Sequence, residues 1–338
     1  MSEDPARTRD LGGFATRVLV AIALLAGALL VWRMHDVLLL VFAAILVAVI
    51  LHAAADGLCW LLPIGRGVAL ALGGLLIVLV LGGVGALFGH ELTKQLSDLS
   101  TLLPAAWERF VEWVGEDRVQ GALDGISPNG ATVASIAQTS IGLVTTALSG
   151  LVLAVLGGIY LAISPRMYHR GALKLLPDRA RAPVADATRE TAQGLRNWLL
   201  GQLISMAATG IAVFIGLSLI GVPSALALAI IAGLFEFIPL VGPFLGAVPA
   251  VLIALTAGVG PFLWTIGFFV VWQQIEGNAM APLVMRFAVS IPPAVTLFAL
   301  FLFGGLFGVI GVLLGGPLTV AAWILVSKLW VGQAPQQD

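Results

Sequence analysis

The sequence predicts an all-α polytopic membrane protein with about eight membrane segments. Two of these segments are broken helices or re-entrant hairpins, and an extramembrane amphipathic helical lobe is added. Of the 338 residues, 59% are hydrophobic and only 10% are charged, whereas an average soluble domain is about 25% charged. The 130 residues from Trp198 to Ser327 contain three charged side chains, Glu236, Glu276 and Arg286. Such a stretch indicates burial in lipid rather than in water.

Five apolar runs are long enough for the ~20 residues that a helix needs to cross a bilayer. Three lie in the N-terminal region 1–89, and the other two follow further along; the runs cover residues 14–32, 37–55, 67–89, 141–163 and 199–220. Between the third and fourth runs, residues 90–140 place apolar side chains at helical spacing among acidic ones. This pattern predicts an external amphipathic helix on the membrane surface or in a small packed lobe.

Loop charges orient these spans. The segment 164–197 carries seven basic and three acidic residues, while the segment 90–140 carries three basic and seven acidic residues. Because basic loops stay inside, the first segment is predicted to be cytoplasmic and the second external. Both termini, including the polar tail 331–338, are then cytoplasmic. Residues 186–198 are predicted to form a helical connector, or a lever, that leads into the fifth span.

The region 198–330 is interrupted and is the predicted transport core. An apolar run over 225–238 is broken by Pro-Leu-Val-Gly-Pro at 239–243 before a second run over 244–257. Each run would be about 21 Å long at 1.5 Å per residue, which is shorter than the ~30 Å hydrocarbon core. The pair is therefore either one broken, tilted span or a re-entrant hairpin. Near the C-terminus, an apolar run is predicted to be interrupted at the glycines of 304–311 and again at Gly-Gly-Pro 315–317. Close glycine packing between helices is an equally good explanation for the glycines.

Acidic groups beside broken membrane helices are a pattern typical of transporter sites. Isolated charges are costly in hydrocarbon, so Glu236 and Glu276 are predicted to serve a permeating species. The alternative for Glu236 is a carboxyl group that caps a broken helix end, and the alternative for Glu276 is an interfacial position at the end of a span. The polar stripe Gln202, Ser205 and Thr209 lines a pathway or makes interhelical hydrogen bonds. The complete predicted pathway set is Glu236, Pro239, Gly242, Pro243, Gln273, Gln274, Glu276, Asn278, Gln202 and Ser205. The predicted hinge or packing residues are Gly304, Gly308, Gly311 and Pro317.

Two further groups have simpler interpretations. Arg286 is predicted to extend to a lipid headgroup rather than to pair with Glu276. His52 and Asp56 lie one helical turn apart and are predicted to form a structural pair.

Four sequence pieces carry a resemblance to a known family. They are Glu-Phe-Ile-Pro-Leu-Val-Gly-Pro at 236–243, Gln-Ile-Glu-Gly-Asn at 274–278, Val-Ser-Ile-Pro-Pro at 289–293, and the glycine run from 304 to 317. With the order of spans and loops, they resemble the autoinducer-2 exporter (AI-2E) family of bacterial membrane transporters. The resemblance implies secondary transport in the inner membrane and homo-oligomeric assembly. It also implies export of the quorum-sensing furanone autoinducer-2 or, for other members, sodium/proton antiport.

Several function classes are excluded or disfavoured. No metalloprotease, nucleophile-elbow, Walker or dinucleotide-binding motif is found, so an enzyme is not expected and no cofactor is predicted. The net charge of −1 and the single cysteine, Cys59, give no reason to expect a nucleic-acid partner or a cysteine-rich metal site. The expected partners are membrane lipid, a small-molecule or cation substrate, and further copies of the chain.

The sequence therefore predicts alternating access coupled to an ion gradient, with export of a small polar solute. A Na+(Li+)/H+ antiporter is the first alternative. An oligomeric channel and a non-transport membrane scaffold also remain open.

Overall fold

The structure is a computed structural model that describes residues 29, 33–87, 150–280 and 291–332. All regular elements in these residues are helical, which confirms the all-α prediction. The predicted external lobe, most of the predicted first span, Arg286 and the last six residues of the polar tail lie outside the described residues.

Nine α-helices occur in the described part of the chain. In order, they are α1 His35–Leu61, α2 Arg66–Leu87, α3 Gly150–Ile163, α4 Pro165–Lys174, α5 Asp178–Ile220, α6 Ala225–Phe235, α7 Gly242–Thr256, α8 Val259–Ile275 and α9 Pro293–Val326. Short π-helical turns continue two of them, Glu276–Met280 after α8 and Ser327–Val331 after α9.

The described helices include three that are long and apolar enough to cross a membrane. These are α1, α5 and the segment Pro293–Trp330, and the pair α3–α4, bent by 89°, gives up to four. Helices α6 and α7 are apolar but shorter. The count of about eight membrane segments therefore stays a prediction.

Helix α5 joins the basic segment to the predicted fifth span without a break. Its 43 residues correspond to about 65 Å, about twice the thickness of the hydrocarbon core. The helix ends where Gly221 adopts a left-handed φ of 83° and its N–H bonds to Leu217, a common helix C-terminus. The predicted connector over 186–198 is thus part of the N-terminal half of one continuous helix.

Helices α6 and α7 form an antiparallel hairpin. A Cβ on Gly246 of α7 would lie 2.8 Å from the Cα of Ala232 in α6. Leu228, near the start of α6, shares one buried cluster with Ala254, near the end of α7. The chain therefore returns to the end from which it came, and the pair is not one long broken helix.

A second reversal lies within α9. Gly308 has a φ of 63° and a ψ of −144° inside the helix, a conformation that L side chains rarely adopt. A Cβ on Gly315 would lie 2.7 Å from Leu300 Cδ2, although a straight helix would separate these residues by about 22 Å. The arms 293–307 and 309–326 consequently lie side by side.

The predicted interruption at the Gly-Gly-Pro sequence 315–317 is wrong. The only non-helical residue inside α9 is Gly308, and Pro317 is buried within the continuous second arm. This arm instead uses Gly316 for close packing, because a Cβ there would lie 2.6 Å from Trp198 Cζ2 and 3.3 Å from Pro239 Cγ. The tip of the α6–α7 hairpin thus lies against both α5 and the second arm of α9.

The hairpin turn should not tolerate a side chain at Gly242. A Cβ there would collide with the carbonyl oxygen of Phe235, and backbone must shift to relieve it. We expect Gly242→Ala to destabilise the protein by about 1–3 kcal/mol, measured as a lower thermal midpoint in detergent. The control is Gly267→Ala in α8, where the new Cβ meets no described atom within 4 Å. Equal midpoints for both variants would contradict the described turn.

Candidate functional site

A cavity of about 290 Å³ lies where the tip of the α6–α7 hairpin meets α5, the end of α8 and both arms of α9. Its walls combine acids, amides and hydroxyls with apolar side chains. The lining residues are Trp198, Gln202, Ser205, Glu236, Pro239, Leu240, Pro243, Gln273, Glu276, Gly277, Ile291, Pro293, Thr296, Gly316, Thr319 and Val320.

Two acidic side chains line this cavity. Glu236 is only 4% exposed, and Glu276, from the end of α8, lines the same cavity close enough for the two acids to interact. The Oε2 atom of each is buried without a hydrogen-bond partner in the described part of the chain. Two neighbouring carboxyl groups in an apolar cavity disfavour simultaneous ionisation, so either one of them keeps a proton or a cation offsets their charge. The pair is thus a chemically reasonable place to hold either one.

The hairpin tip positions Glu236. Glu236 follows the last residue of α6. Its backbone carbonyl oxygen accepts a hydrogen bond from Gln202 Nε2 of α5. Two bonds of 2.8 Å, from Val241 N to Pro239 O and from Gly242 N to Ile238 O, close the turn. The sequence of Pro239 to Pro243 therefore ends one helix and begins the next within a few residues.

The tip also contains a strained residue. Leu240 has a φ of 68°, a left-handed conformation that costs a non-glycine residue about 1–2 kcal/mol. Its side chain lines the cavity. Strain of this kind is concentrated at functional sites and switch regions.

A π-helical turn positions Glu276. It begins at Glu276, where α8 ends, and runs to Met280. Such turns are rare and are frequent at functional sites. Asn278 Nδ2 donates to Gln274 O at 2.9 Å and to Gln274 Oε1 at 3.3 Å, so these two amides bond to each other outside the cavity.

Most of the predicted pathway residues come together around the cavity. Those that line it are Gln202, Ser205, Glu236, Pro239, Pro243, Gln273 and Glu276. The other three, Gly242, Gln274 and Asn278, do not line it. Gly242 is buried in the hairpin turn instead.

Sequence reasoning missed the contribution of α9 to the site. Thr296 and Thr319, from opposite arms, both line the cavity, and Gly316 lies beside them. Thr319 Oγ1 donates to Gly315 O of its own helix at 2.6 Å. In the sequence, Thr296 and Thr319 are two hydroxyl-bearing residues in a very apolar segment. Only the reversal at Gly308 explains why both line one cavity.

The polar stripe on α5 serves two purposes. Gln202 and Ser205 line the cavity, while Thr209 accepts a hydrogen bond of 3.2 Å from Trp272 Nε1 of α8. Of the predicted hinge residues, Gly304, Gly308 and Gly311 lie around the reversal in α9.

Ion pairs connect the helices at one end of the bundle. Asp56 of α1 is 3.1 Å from Arg66 of α2 and 3.4 Å from Arg196 of α5. Glu190, which is also in α5, lies 2.6 Å from Lys328, a residue that follows the end of α9.

The predicted structural pair of His52 with Asp56 is wrong, because Asp56 bonds to the two arginines. Both ring nitrogens of His52 are buried without a hydrogen-bond partner among the described residues.

Comparison with known proteins identifies the family. A family model described as "AI-2E family transporter" matches residues 19–330. The chain belongs to the AI-2E transporter family. This confirms the resemblance seen in the sequence, and it supports a role in membrane transport.

Proteins of several bacteria are similar to this chain. The chain is 28% identical over 347 residues to "Putative transport protein MT0215" of Mycobacterium tuberculosis, covering 98% of this chain and 93% of that protein. It is 28% identical over 255 residues to "Putative permease PerM" of Escherichia coli, covering 72% of this chain and 70% of that protein. A 27% identical match to "Putative transport protein YueF" of Bacillus subtilis covers 68% of this chain and 62% of YueF. The match thus spans less than two thirds of the YueF protein.

Cysteine labelling tests whether the cavity admits water. Because Cys59 is the only cysteine, Cys59→Ala provides a background without thiols. We expect Ser205→Cys, which lines the cavity, to react with a charged methanethiosulfonate reagent in open vesicles. The adjacent Ile204→Cys is the control, because Ile204 is 59% exposed and is absent from the cavity lining; in a bilayer it faces lipid and should react far more slowly. Equal rates would show that the cavity is not a hydrated compartment.

Proposed function

We propose that this AI-2E protein is an ion-coupled secondary transporter of the bacterial inner membrane that exports a small polar solute resembling autoinducer-2. The observation that carries the proposal is the pair of acids Glu236 and Glu276 in an interhelical cavity. A proton or a small cation between the two carboxyl groups would remove their mutual repulsion. Loss of that ion would restore it and favour separation of the hairpin tip from the end of α8.

The depth of the pair supports this proposal. Helix α6 has 11 residues, or about 16 Å, so a hairpin entering from one face brings Glu236 about halfway through the ~30 Å hydrocarbon core. Transporters bind substrate and coupling ions near this depth, where broken helices expose backbone dipoles. We infer that the α6–α7 hairpin is re-entrant and that its tip holds the ion.

The packing of the tip supports a moving element. On one side, Gly316 allows Pro239 and Trp198 to approach the second arm of α9 closely. Trp198 also packs edge-on against Phe237, with ring centroids 5.8 Å apart. Alternating access would then shift the hairpin along the smooth surface of α5 and α9, while the ion pairs at Asp56 and Glu190 hold the frame.

The size and lining of the cavity bear on the substrate class. Its volume of about 290 Å³ lies at the lower end of the ~300–1,000 Å³ typical of small-molecule pockets. The amides of Gln202 and Gln273 and the hydroxyls of Ser205 and Thr296 offer both donors and acceptors. A small, hydroxyl-rich neutral solute suits these groups better than a large or strongly apolar one.

A Na+(Li+)/H+ antiporter is the second candidate function. It is favoured by the unpartnered Oε2 atoms of both acids, because a site that exchanges a proton for a cation needs free carboxylate oxygens and little else. In this case the amides and hydroxyls around the pair would complete the coordination of the cation.

Charge neutralisation at the acid pair tests the coupling. In proteoliposomes with an imposed H+ or Na+ gradient, we expect Glu236→Gln and Glu276→Gln each to lower gradient-driven flux of the solute at least ~10-fold, an effect of about 1.4 kcal/mol or more. The matched control is Asp186→Asn in α5, whose side chain is exposed and lies away from the cavity; its flux should equal that of the wild type.

The outcomes separate the candidates. Solute accumulation driven by the gradient supports the exporter, whereas Na+-dependent proton movement without added solute supports the antiporter. Passive flux that persists in both glutamine variants would indicate an oligomeric channel. Wild-type coupling in Glu236→Gln would refute the role given to the acid pair.

A further inference from the structure

A second, larger cleft lies away from the acid pair. It is bounded by α1, α2 and the bent pair α3–α4, with one residue from α5, and its volume is about 1540 Å³. This exceeds the ~300–1,000 Å³ of ordinary small-molecule pockets. None of its lining residues belongs to the cavity at Glu236, so the transport site does not account for it.

One end of the cleft is basic. Arg66, Arg166 and Arg189 contribute to its wall from three different helices, and His52 contributes from a fourth. Arg66 is bound to Asp56, but Arg166 and Arg189 make no ion pair with any described residue. Two guanidinium groups without an ion-pair partner among the described residues therefore line the same cleft as His52, a setting suited to an anion.

The rest of the cleft is apolar and follows the axis of α2. Leu70, Gly74 and Val78 line it at intervals of one helical turn. From Leu70 to Val78 the helix rises about 12 Å, most of one leaflet of a ~30 Å hydrocarbon core. The cleft therefore combines basic residues with an apolar wall that could hold most of one acyl chain.

We propose that this cleft binds an anionic phospholipid. Its phosphate would lie between Arg166 and Arg189 near His52, and one acyl chain would run along α2 from Leu70 towards Val78. The side of the membrane agrees with this assignment, because the basic segment is predicted to be cytoplasmic and anionic lipids are concentrated in that leaflet.

The arginines and the apolar wall of the cleft together favour an anionic phospholipid over a free phosphate or a second copy of the chain. A free phosphate would use the arginines but leave the long apolar wall exposed. A second copy of the chain would cover the wall but would not supply an anion at the required end unless an acidic residue entered the cleft. Only an amphiphile with a negative headgroup satisfies both parts at once.

Native mass spectrometry of the whole chain in detergent tests the assignment. The probes are phosphatidylglycerol and phosphatidylcholine with identical acyl chains, together with inorganic phosphate as a competitor. We expect wild-type protein to bind phosphatidylglycerol in preference to phosphatidylcholine, and Arg166→Gln with Arg189→Gln to weaken this binding roughly 25-fold, or about five-fold per arginine. The matched control combines Arg170→Gln and Arg179→Gln, two exposed arginines of the same segment outside the cleft.

The apolar wall is tested separately. Ala71 is exposed and lines the cleft, whereas Leu72 is exposed and does not. Ala71→Phe should block the acyl-chain groove and reduce lipid binding, and Leu72→Phe should leave it unchanged. Neither change enters the buried core, so thermal midpoints should stay near that of the wild type.

Four results would overturn the proposal. They are equal binding of the two lipids, equal losses in the two arginine pairs, full displacement of the lipid by phosphate alone, and unchanged binding in Ala71→Phe. Cross-linking between copies through a cysteine placed at Leu75 of the cleft would do the same, because it would assign this groove to a subunit interface.

Discussion

The cost of burying acidic groups in an apolar environment governs the core of this protein. Glu236 is almost fully buried among helices that carry few other charges, and an isolated carboxylate in such surroundings is unfavourable by many kcal/mol. Glu276 in the same cavity adds to this cost, because two neighbouring carboxylates repel each other, and only a proton or cation at the pair would relieve it. The site is thus defined by a shared need for positive charge rather than by a preformed counterion.

Two helix reversals make this arrangement sterically feasible. The first brings Glu236 down to the level of Gln202, and the second folds the arms of α9 together so that Thr296 and Thr319 face one cavity. Both depend on glycine where backbone approaches closely: Gly242 at the tip of the first hairpin and Gly308, with its positive φ, in the second. Interhelical contacts and hydrogen bonds then satisfy backbone groups that lipid cannot.

At the end of the bundle that contains Asp56 and Glu190, acidic side chains are paired with basic ones, unlike the two acids in the core cavity. There, Asp56 joins α1, α2 and α5, and Glu190 joins α5 to the end of α9. These pairs are partly exposed, so each contributes only modestly to stability. They nevertheless link α1, α2, α5 and the end of α9. Arg166 and Arg189 have no ion-pair partner in the described part of the chain and line a cleft whose other walls are largely apolar.

The sequence alone determined the class of protein, because composition and the lengths of apolar runs report directly on the solvent that surrounds a helix. It also identified Glu236 and Glu276, since a charge within an apolar run stands out without knowledge of its neighbours. Most of the pathway set could be predicted for the same reason: Pro239 and Pro243 mark a break, and Gln273 lies one turn before Glu276.

Only the tertiary structure decided which of these residues meet. A proline-glycine break is compatible with a kink or a reversal, and the choice depends on contacts such as that of Gly246 with Ala232, which lie far apart along the helices. The same limit explains why Gln274 and Asn278 bond to each other instead of entering the cavity, and why Asp56 binds distant arginines rather than His52. Local spacing reports which face of a helix a residue occupies, but the partner of that face is set by long-range packing.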